Sequence, residues 1–183
     1  MKGTKKLQIG VIGYAGEEEY PKAKASKKSI YKIAERVGFL LAKKGAIVVT
    51  GGKSGVMEFA ARGARKANGI TIGVIKGSKR FGSNDFTEVE ILSGMAADGF
   101  DEFILVTMCD AFITIGGGAG TLEEIVIAYR NKKPIIALEN TGGWADKTIE
   151  QYLDERKTVK VVSAKTPEEA VRKVMNLVTK LYE

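Results

Sequence analysis

Short runs of apolar residues alternate along the chain with longer stretches in which apolar residues recur every three or four positions. The short runs, such as Ala111–Ile115, are rich in β-branched side chains, which is typical of strands buried in a parallel sheet. The longer stretches have the helix period; residues 26–44, for example, place Ile30, Ile33 and Val37 on one face. This alternation predicts an α/β fold, with a Rossmann-like, doubly wound, mainly parallel sheet and helices on both faces.

The same pattern gives the order of the elements. Strands are predicted at residues 6–12, 46–50, 70–75, 86–92, 111–115, 135–138 and 159–163. Helices are predicted at residues 26–44, 55–67, 95–108, from 121 onward, at 144–156 and from 166 onward, with a polar connection at residues 17–24. The last helix begins with Thr166 and Pro167 and has a glutamate at its third position, which is the pattern of a capping box. No linker or repeat interrupts the chain, so residues 1–183 are expected to form a single domain.

A glycine-rich loop follows the strand predicted at residues 111–115. It reads Gly-Gly-Gly-Ala-Gly over residues 116–120 and leads into a helix predicted to begin at Thr121. Glycines let backbone N–H groups approach a ligand closely, and the first N–H groups of a helix favour an anion. We therefore predict a phosphate-binding site at this loop. Its residues are Gly116, Gly117, Gly118, Gly120 and Thr121.

A second segment repeats this design. Residues 50–58 read Thr-Gly-Gly-Lys-Ser-Gly-Val-Met-Glu, and they also run from a strand through glycines into a helix. Ligands of open parallel sheets bind beyond the carboxyl ends of the strands, where the winding reverses. Gly51, Gly52 and Gly55 of this segment, and Gly13 at the end of the first strand, are therefore predicted to contribute to the same ligand site.

Two interpretations of Glu124 remain open. It lies three residues after Thr121, the spacing of a capping box, which stabilises a helix by about 1 kcal/mol. A carboxylate beside a phosphate site could instead stabilise a cation that develops during catalysis, such as an oxocarbenium ion at the ribose C1′ atom. Glu124 is therefore the candidate catalytic residue.

Composition excludes several functions. The chain contains no histidine, which excludes Ser-His-Asp and Cys-His catalysis and every His-ligated metal site, so no metal site is expected. The net charge is +7, but the basic residues are scattered and are not interleaved with aromatic residues, so we expect no nucleic-acid partner. No apolar run approaches the ~20 residues of a membrane helix. The single cysteine, Cys109, excludes an internal disulfide, and we expect a cytoplasmic protein.

Two familiar nucleotide-binding motifs are not met. Residues 52–54, Gly-Lys-Ser, resemble the end of a P-loop, but the position five residues before Gly52 is Ile47 rather than glycine. The glycines at positions 10, 13 and 16 are spaced three apart, which differs from G-x-G-x-x-G and argues against a nicotinamide-dependent dehydrogenase.

The two glycine segments resemble those of a known family. Residues 117–124, Gly-Gly-Ala-Gly-Thr-Leu-Glu-Glu, resemble the G-G-x-G-T-x-x-E core of the Lonely Guy family, long mislabelled "possible lysine decarboxylase". Residues 50–57 resemble its second glycine motif. Two details resemble the branch of the family that includes molybdenum cofactor carrier proteins. One is Gly116, where the plant-type motif has proline, and the other is the Gly-Val-Met-Glu run at residues 55–58. The resemblance covers about residues 6–140.

This resemblance implies a Rossmann-like fold, a homodimer or higher homo-oligomer, and a phosphorylated small-molecule ligand. In the hydrolase members it implies cleavage of nucleoside 5′-monophosphates to the free base and ribose 5-phosphate. Carried over to this chain, it implies that Gly117, Gly118, Gly120 and Thr121 hold the phosphate and that Glu124 assists cleavage.

One departure from the family pattern separates two functions. The family commonly places an arginine at the start of the helix before the central strand, and the matching positions here are Asp101 and Glu102. An acidic pair cannot replace a guanidinium group on phosphate. The sequence therefore favours a phosphate-recognising binding or carrier protein for a nucleotide-like or pterin (molybdenum) cofactor. The alternative, a nucleoside 5′-monophosphate phosphoribohydrolase, stays open.

Overall fold

A computed structural model describes residues 5–16 and 26–182, and these residues form one seven-stranded sheet with helices. The strands are β1 (Gln8–Gly13), β2 (Ile47–Thr50), β3 (Thr71–Ile75), β4 (Val89–Leu92), β5 (Ala111–Ile115), β6 (Ile135–Leu138) and β7 (Val162–Ala164). The helices are α1 (Lys27–Lys43), α2 (Val56–Lys66), α3 (Phe100–Met108), α4 (Ala119–Arg130), α5 (Gly143–Thr148) and α6 (Pro167–Tyr182).

The strand order in the sheet is β4-β3-β2-β1-β5-β6-β7, and every pairing is parallel. The chain winds outward from β1 to β4, crosses back to β5 beside β1, and winds outward again to β7. Gly13 at the end of β1 pairs with Ile115 at the end of β5. The winding therefore reverses between β1 and β5, and the loops that follow these two strands are neighbours. This architecture confirms the predicted doubly wound fold.

Helices cover both faces of the sheet, so that the central strands are buried on both sides. On one face, Ile113 and Ile115 of β5 pack in a cluster with α1, α2 and α6. On the other face, Phe112 packs with α3, α4 and α5. All five residues of β5 are buried. This double burial explains why the strand reads as a continuous apolar run rather than as an alternating one.

Several element boundaries differ from those predicted. The helix predicted at 95–108 begins only at Phe100, because Gly94 and Gly99 have positive φ angles of 73° and 94° that a helix cannot include. The helix predicted at 144–156 ends at Thr148, and Glu150 adopts a φ angle of 58°. The strands predicted at 86–92 and 159–163 pair only over Val89–Leu92 and Val162–Ala164. The connection predicted at 17–24 lies outside the described residues.

The start of α6 agrees with its predicted capping pattern. The Thr166 hydroxyl accepts a hydrogen bond of 3.2 Å from the Glu169 N–H group, and the Glu169 carboxylate accepts one of 2.8 Å from the Lys165 N–H group. Pro167 occupies the first helical position. Thr166 therefore caps one donor of the helix start, and Glu169 reaches back to the residue before the cap rather than to the Thr166 N–H group of a full capping box.

Candidate functional site

A polar pocket opens at the carboxyl ends of β1, β2 and β5, where the winding of the sheet reverses. Its volume is about 170 Å³, more than ten times the volume that one water requires. Three groups of residues form its walls: the loop residues after β1 and β2, the first residues of α4, and acidic side chains from α3 and α4. The fold therefore brings the two predicted glycine segments to one site.

The first wall is the N-terminus of α4. The helix begins at Ala119, two residues earlier than predicted, with Gly118 as its N-cap residue. The N–H groups of residues 117–121 donate no hydrogen bond to any described residue. Gly118, Gly120 and Thr121 line the pocket. This wall therefore offers a row of backbone donors and the positive end of a helix dipole, which is an arrangement that suits an anion.

The backbone geometry of the loop before α4 requires glycine at its first two positions. Gly116 has a φ angle of 66°, and a Cβ atom there would lie 2.0 Å from the ring of Tyr14. Gly117 has a φ angle of 104°, and a Cβ atom there would lie 2.4 Å from the Thr121 side chain. Neither residue lines the pocket. Both glycines therefore shape the turn from β5 into α4.

The second wall comes from the loops after β1 and β2. Gly13 and Gly51 line the pocket, whereas Gly52 and Gly55 do not. A Cβ atom at Gly55 would lie 2.4 Å from the Tyr14 carbonyl oxygen, so this glycine allows the two loops to pack together. Lys53, which was not predicted as a site residue, lines the pocket and is the single basic side chain among the described lining residues. The similarity of the two glycine segments could have drawn attention to it.

Glu124 lies in the pocket rather than at the helix cap. Since α4 begins at Ala119, Glu124 is in the second turn, and the capping box predicted with Thr121 does not form. Its side chain lines the pocket and is 8% exposed. Burial and then the nearby Glu102 carboxyl raise the pKa of Glu124 well above its usual range. A protonated Glu124 carries no charge that would repel a phosphate group.

Two further acids, Asp101 and Glu102, face the same pocket from the first turn of α3. Asp101 is buried, and Glu102 caps its helix by accepting a hydrogen bond of 3.1 Å from the Gly99 N–H group. Burial and the neighbouring Asp101 carboxyl group raise the pKa of Glu102. These residues were noted in the sequence as a departure from the family arginine. The structure shows that this departure lies in the pocket wall.

Two basic residues of the loop between β3 and β4 are not part of this pocket. Lys79 and Arg80 are exposed, and Arg80 borders a separate groove with Glu90. Cys109 is buried and lies outside the pocket lining. The described residues contain no cluster of three or more side chains suited to a metal ion. No helix in the described ranges has both the length and the apolar character to cross a bilayer.

The fold and the pocket together define a Rossmann-like α/β protein with a pocket of small-molecule size at the place where the winding of its sheet reverses. The sequence model of the SLOG cluster4 family matches residues 6–171, and the chain belongs to this family. The cytokinin riboside 5′-monophosphate phosphoribohydrolase LOG of Oryza sativa subsp. japonica is 31% identical over 170 residues, which cover 83% of this chain and 69% of the rice protein. The resemblance to Lonely Guy proteins is therefore confirmed.

Solved structures connect the chain with the carrier branch as well. The molybdenum cofactor binding protein of Rippkaea orientalis is 30% identical and superimposes with a TM-score of 0.77 over 96% of this chain and 99% of that protein. The molybdenum cofactor carrier protein of Chlamydomonas reinhardtii is 29% identical, with a TM-score of 0.75 over the same shares of 96% and 99%. Relatives of both functional types thus share this fold over most of their length.

Proposed function

We propose that this protein binds a phosphorylated nucleotide-like or pterin ligand in the pocket and holds it without cleaving it. The proposal rests on one observation: the position that matches the family arginine is Asp101, and its carboxylate lies buried in the pocket wall. A carrier needs a site that recognises the ligand, whereas a hydrolase also needs a guanidinium group that orients the phosphate for cleavage.

The phosphate of the ligand would lie against the start of α4. The free N–H groups of residues 117–121 offer hydrogen bonds, and Gly118 and Gly120 leave that surface open. Lys53 on the opposite loop adds a positive charge. The raised pKa of Glu124 reduces the negative charge that would otherwise oppose an anion here. The site thus accommodates a phosphate despite its three carboxyl groups.

The names of two structural neighbours agree with this proposal. Both the Rippkaea and the Chlamydomonas proteins are named for molybdenum cofactor binding or carriage. A phosphorylated pterin would require the anion-binding wall and additional polar groups close by. The pocket provides both, from α4 and from α3.

A phosphoribohydrolase is the second candidate, and Glu124 is the observation that favours it. This carboxyl group lies in the pocket, as stabilisation of a ribose cation would require, and the rice relative is named for that reaction. Without an arginine to orient the phosphate, however, misplacement of the substrate alone would cost on the order of 10²-fold in rate. We therefore expect slow or undetectable cleavage.

The test combines binding and turnover with adenosine monophosphate. Calorimetry should show binding by the wild type, and a chromatographic assay should show little or no free adenine. Glu124→Gln is the active-site variant, and Glu123→Gln, one residue away on the exposed side of α4, is its matched control. Rapid adenine release that disappears in Glu124→Gln and persists in Glu123→Gln would overturn the carrier proposal and restore the hydrolase. No measurable binding of any phosphorylated nucleotide or pterin would refute both.

A further inference from the structure

Asp101 is a buried acid with an unused hydrogen-bonding atom. The residue is 5% exposed and lines the pocket, and its Oδ1 atom has no hydrogen-bond partner among the described residues. A buried polar atom without a partner destabilises a fold, and it does so more strongly when it is charged. Such an atom in a pocket wall indicates a hydrogen-bond donor on the ligand.

Glu102 provides a second acceptor at the same place. Its Oε2 atom is occupied by the Gly99 N–H group, whereas its Oε1 atom faces Gly120, 3.8 Å from the position that a Cβ atom would take there. The acidic wall therefore stands beside the N-terminus of α4. A ligand whose phosphate lies on α4 would bring its next polar groups towards Asp101 and Glu102.

Carboxylates accept hydrogen bonds and do not donate them when ionised, so this wall selects ligand edges that consist of donors. Guanine and pterin rings have a ring N–H group next to an exocyclic amino group, and these two parallel donors match carboxylate oxygens. Hypoxanthine has the ring N–H group but lacks the amino group. Adenine has an amino group next to a ring nitrogen that only accepts, and that nitrogen would face a carboxylate unfavourably.

We propose that Asp101, assisted by Glu102, recognises the paired N–H donors of a guanine- or pterin-type ring, so that the pocket discriminates against adenine and hypoxanthine. This inference rests on the proposed function, since it names the base of the phosphorylated ligand that the pocket binds. It also gives the acidic pair a role: the residues that replace the family arginine recognise the ring rather than the phosphate.

The test compares guanosine, inosine and adenosine 5′-monophosphates by calorimetry. Guanosine and inosine monophosphates differ only in the exocyclic amino group. We expect the guanosine nucleotide to bind about tenfold more tightly than the inosine nucleotide, and the adenosine nucleotide to bind most weakly. In Asp101→Ala the ratio between guanosine and inosine monophosphates should fall towards one. The exposed Asp85→Ala is the control and should keep the wild-type ratio.

The ratio of affinities, rather than either affinity alone, is the readout, because loss of a negative charge strengthens phosphate binding for every nucleotide. Thermal denaturation of both variants shows whether they are folded, and Asp101→Asn provides a second, isosteric variant if the alanine is unstable. Equal binding of all three nucleotides, or a preference for guanosine monophosphate that survives both substitutions at Asp101, would overturn this inference while leaving the proposed function intact. Failure of all three nucleotides and of a pterin phosphate to bind would instead refute the proposed function.

Discussion

Replacement of Glu124 by glutamine should make the protein more stable at neutral pH, although Glu124 lies in the pocket. The carboxyl group is 8% exposed, and burial and the nearby Glu102 raise its pKa well above the usual value of 4.5. Ionisation of Glu124 in the folded protein is therefore unfavourable, whereas in the unfolded chain it is easy. Glutamine has the shape of the protonated acid and never ionises.

The magnitude follows from proton linkage. A raised pKa means that the folded protein binds more protons than the unfolded chain at pH values between the two pKa values. The stabilisation that this provides is complete below the unfolded pKa of about 4.5 and is lost as the pH rises towards and through the folded pKa. The loss is about 1.4 kcal/mol per pH unit for one group. Glu124→Gln should remove this slope.

The assay is chemical denaturation of the ligand-free protein between pH 5 and pH 8, in steps of about half a pH unit. The difference in unfolding free energy, variant minus wild type, should rise with pH and then level off, and the pH of the plateau gives the folded pKa of Glu124. Glu123→Gln, which changes an exposed carboxyl group on the same helix, should give a difference that varies with pH far less, since Glu123 makes only a small contribution to the raised pKa of Glu124. A constant difference for Glu124→Gln across this range would refute the reasoning.

Three further predictions concern the binding wall, the last helix and assembly. Gly120→Val should weaken binding of guanosine monophosphate at least tenfold in calorimetry, because the added side chain would cover the N–H donors of α4. The melting temperature should stay near that of the wild type, because the new Cβ atom would meet only Glu102, at 3.8 Å. Unchanged affinity would contradict the role of the α4 wall in binding. Thr166→Ala should lower the free energy of unfolding by about 1 kcal/mol in urea denaturation, since it removes the cap of α6, and no loss would show that the cap is dispensable. Phe100 and Phe103 of α3 are 46% and 55% exposed, and we expect a second copy of the chain to cover them. Light scattering at micromolar concentration should therefore give the mass of a homodimer or larger homo-oligomer, and a monomeric mass would contradict this prediction.

The sequence by itself determined the sheet and the place of its site. The apolar runs indicated which segments are buried strands, because a strand covered on both faces is built mostly from apolar residues, and all five residues of β5 are buried. The glycine segments after β2 and β5 marked the loops that form the pocket, because parallel strands bring their carboxyl ends to one edge of the sheet. Local patterns of this kind depend on neighbours a few residues away, and the sequence contains them directly.

Only the tertiary structure decided which individual side chains face the pocket. Glu124 has the spacing of a capping residue, but α4 begins two residues before Thr121, and this shift moves Glu124 from the cap to the pocket. Gly116 and Gly117 were predicted as ligand-binding glycines, and the structure adds that a Cβ atom at either position would clash with Tyr14 or Thr121. Asp101 becomes a buried acid in the pocket wall because α3 packs beside α4. Burial and orientation are set by such contacts between packed elements, and the spacing of residues along the chain does not encode them.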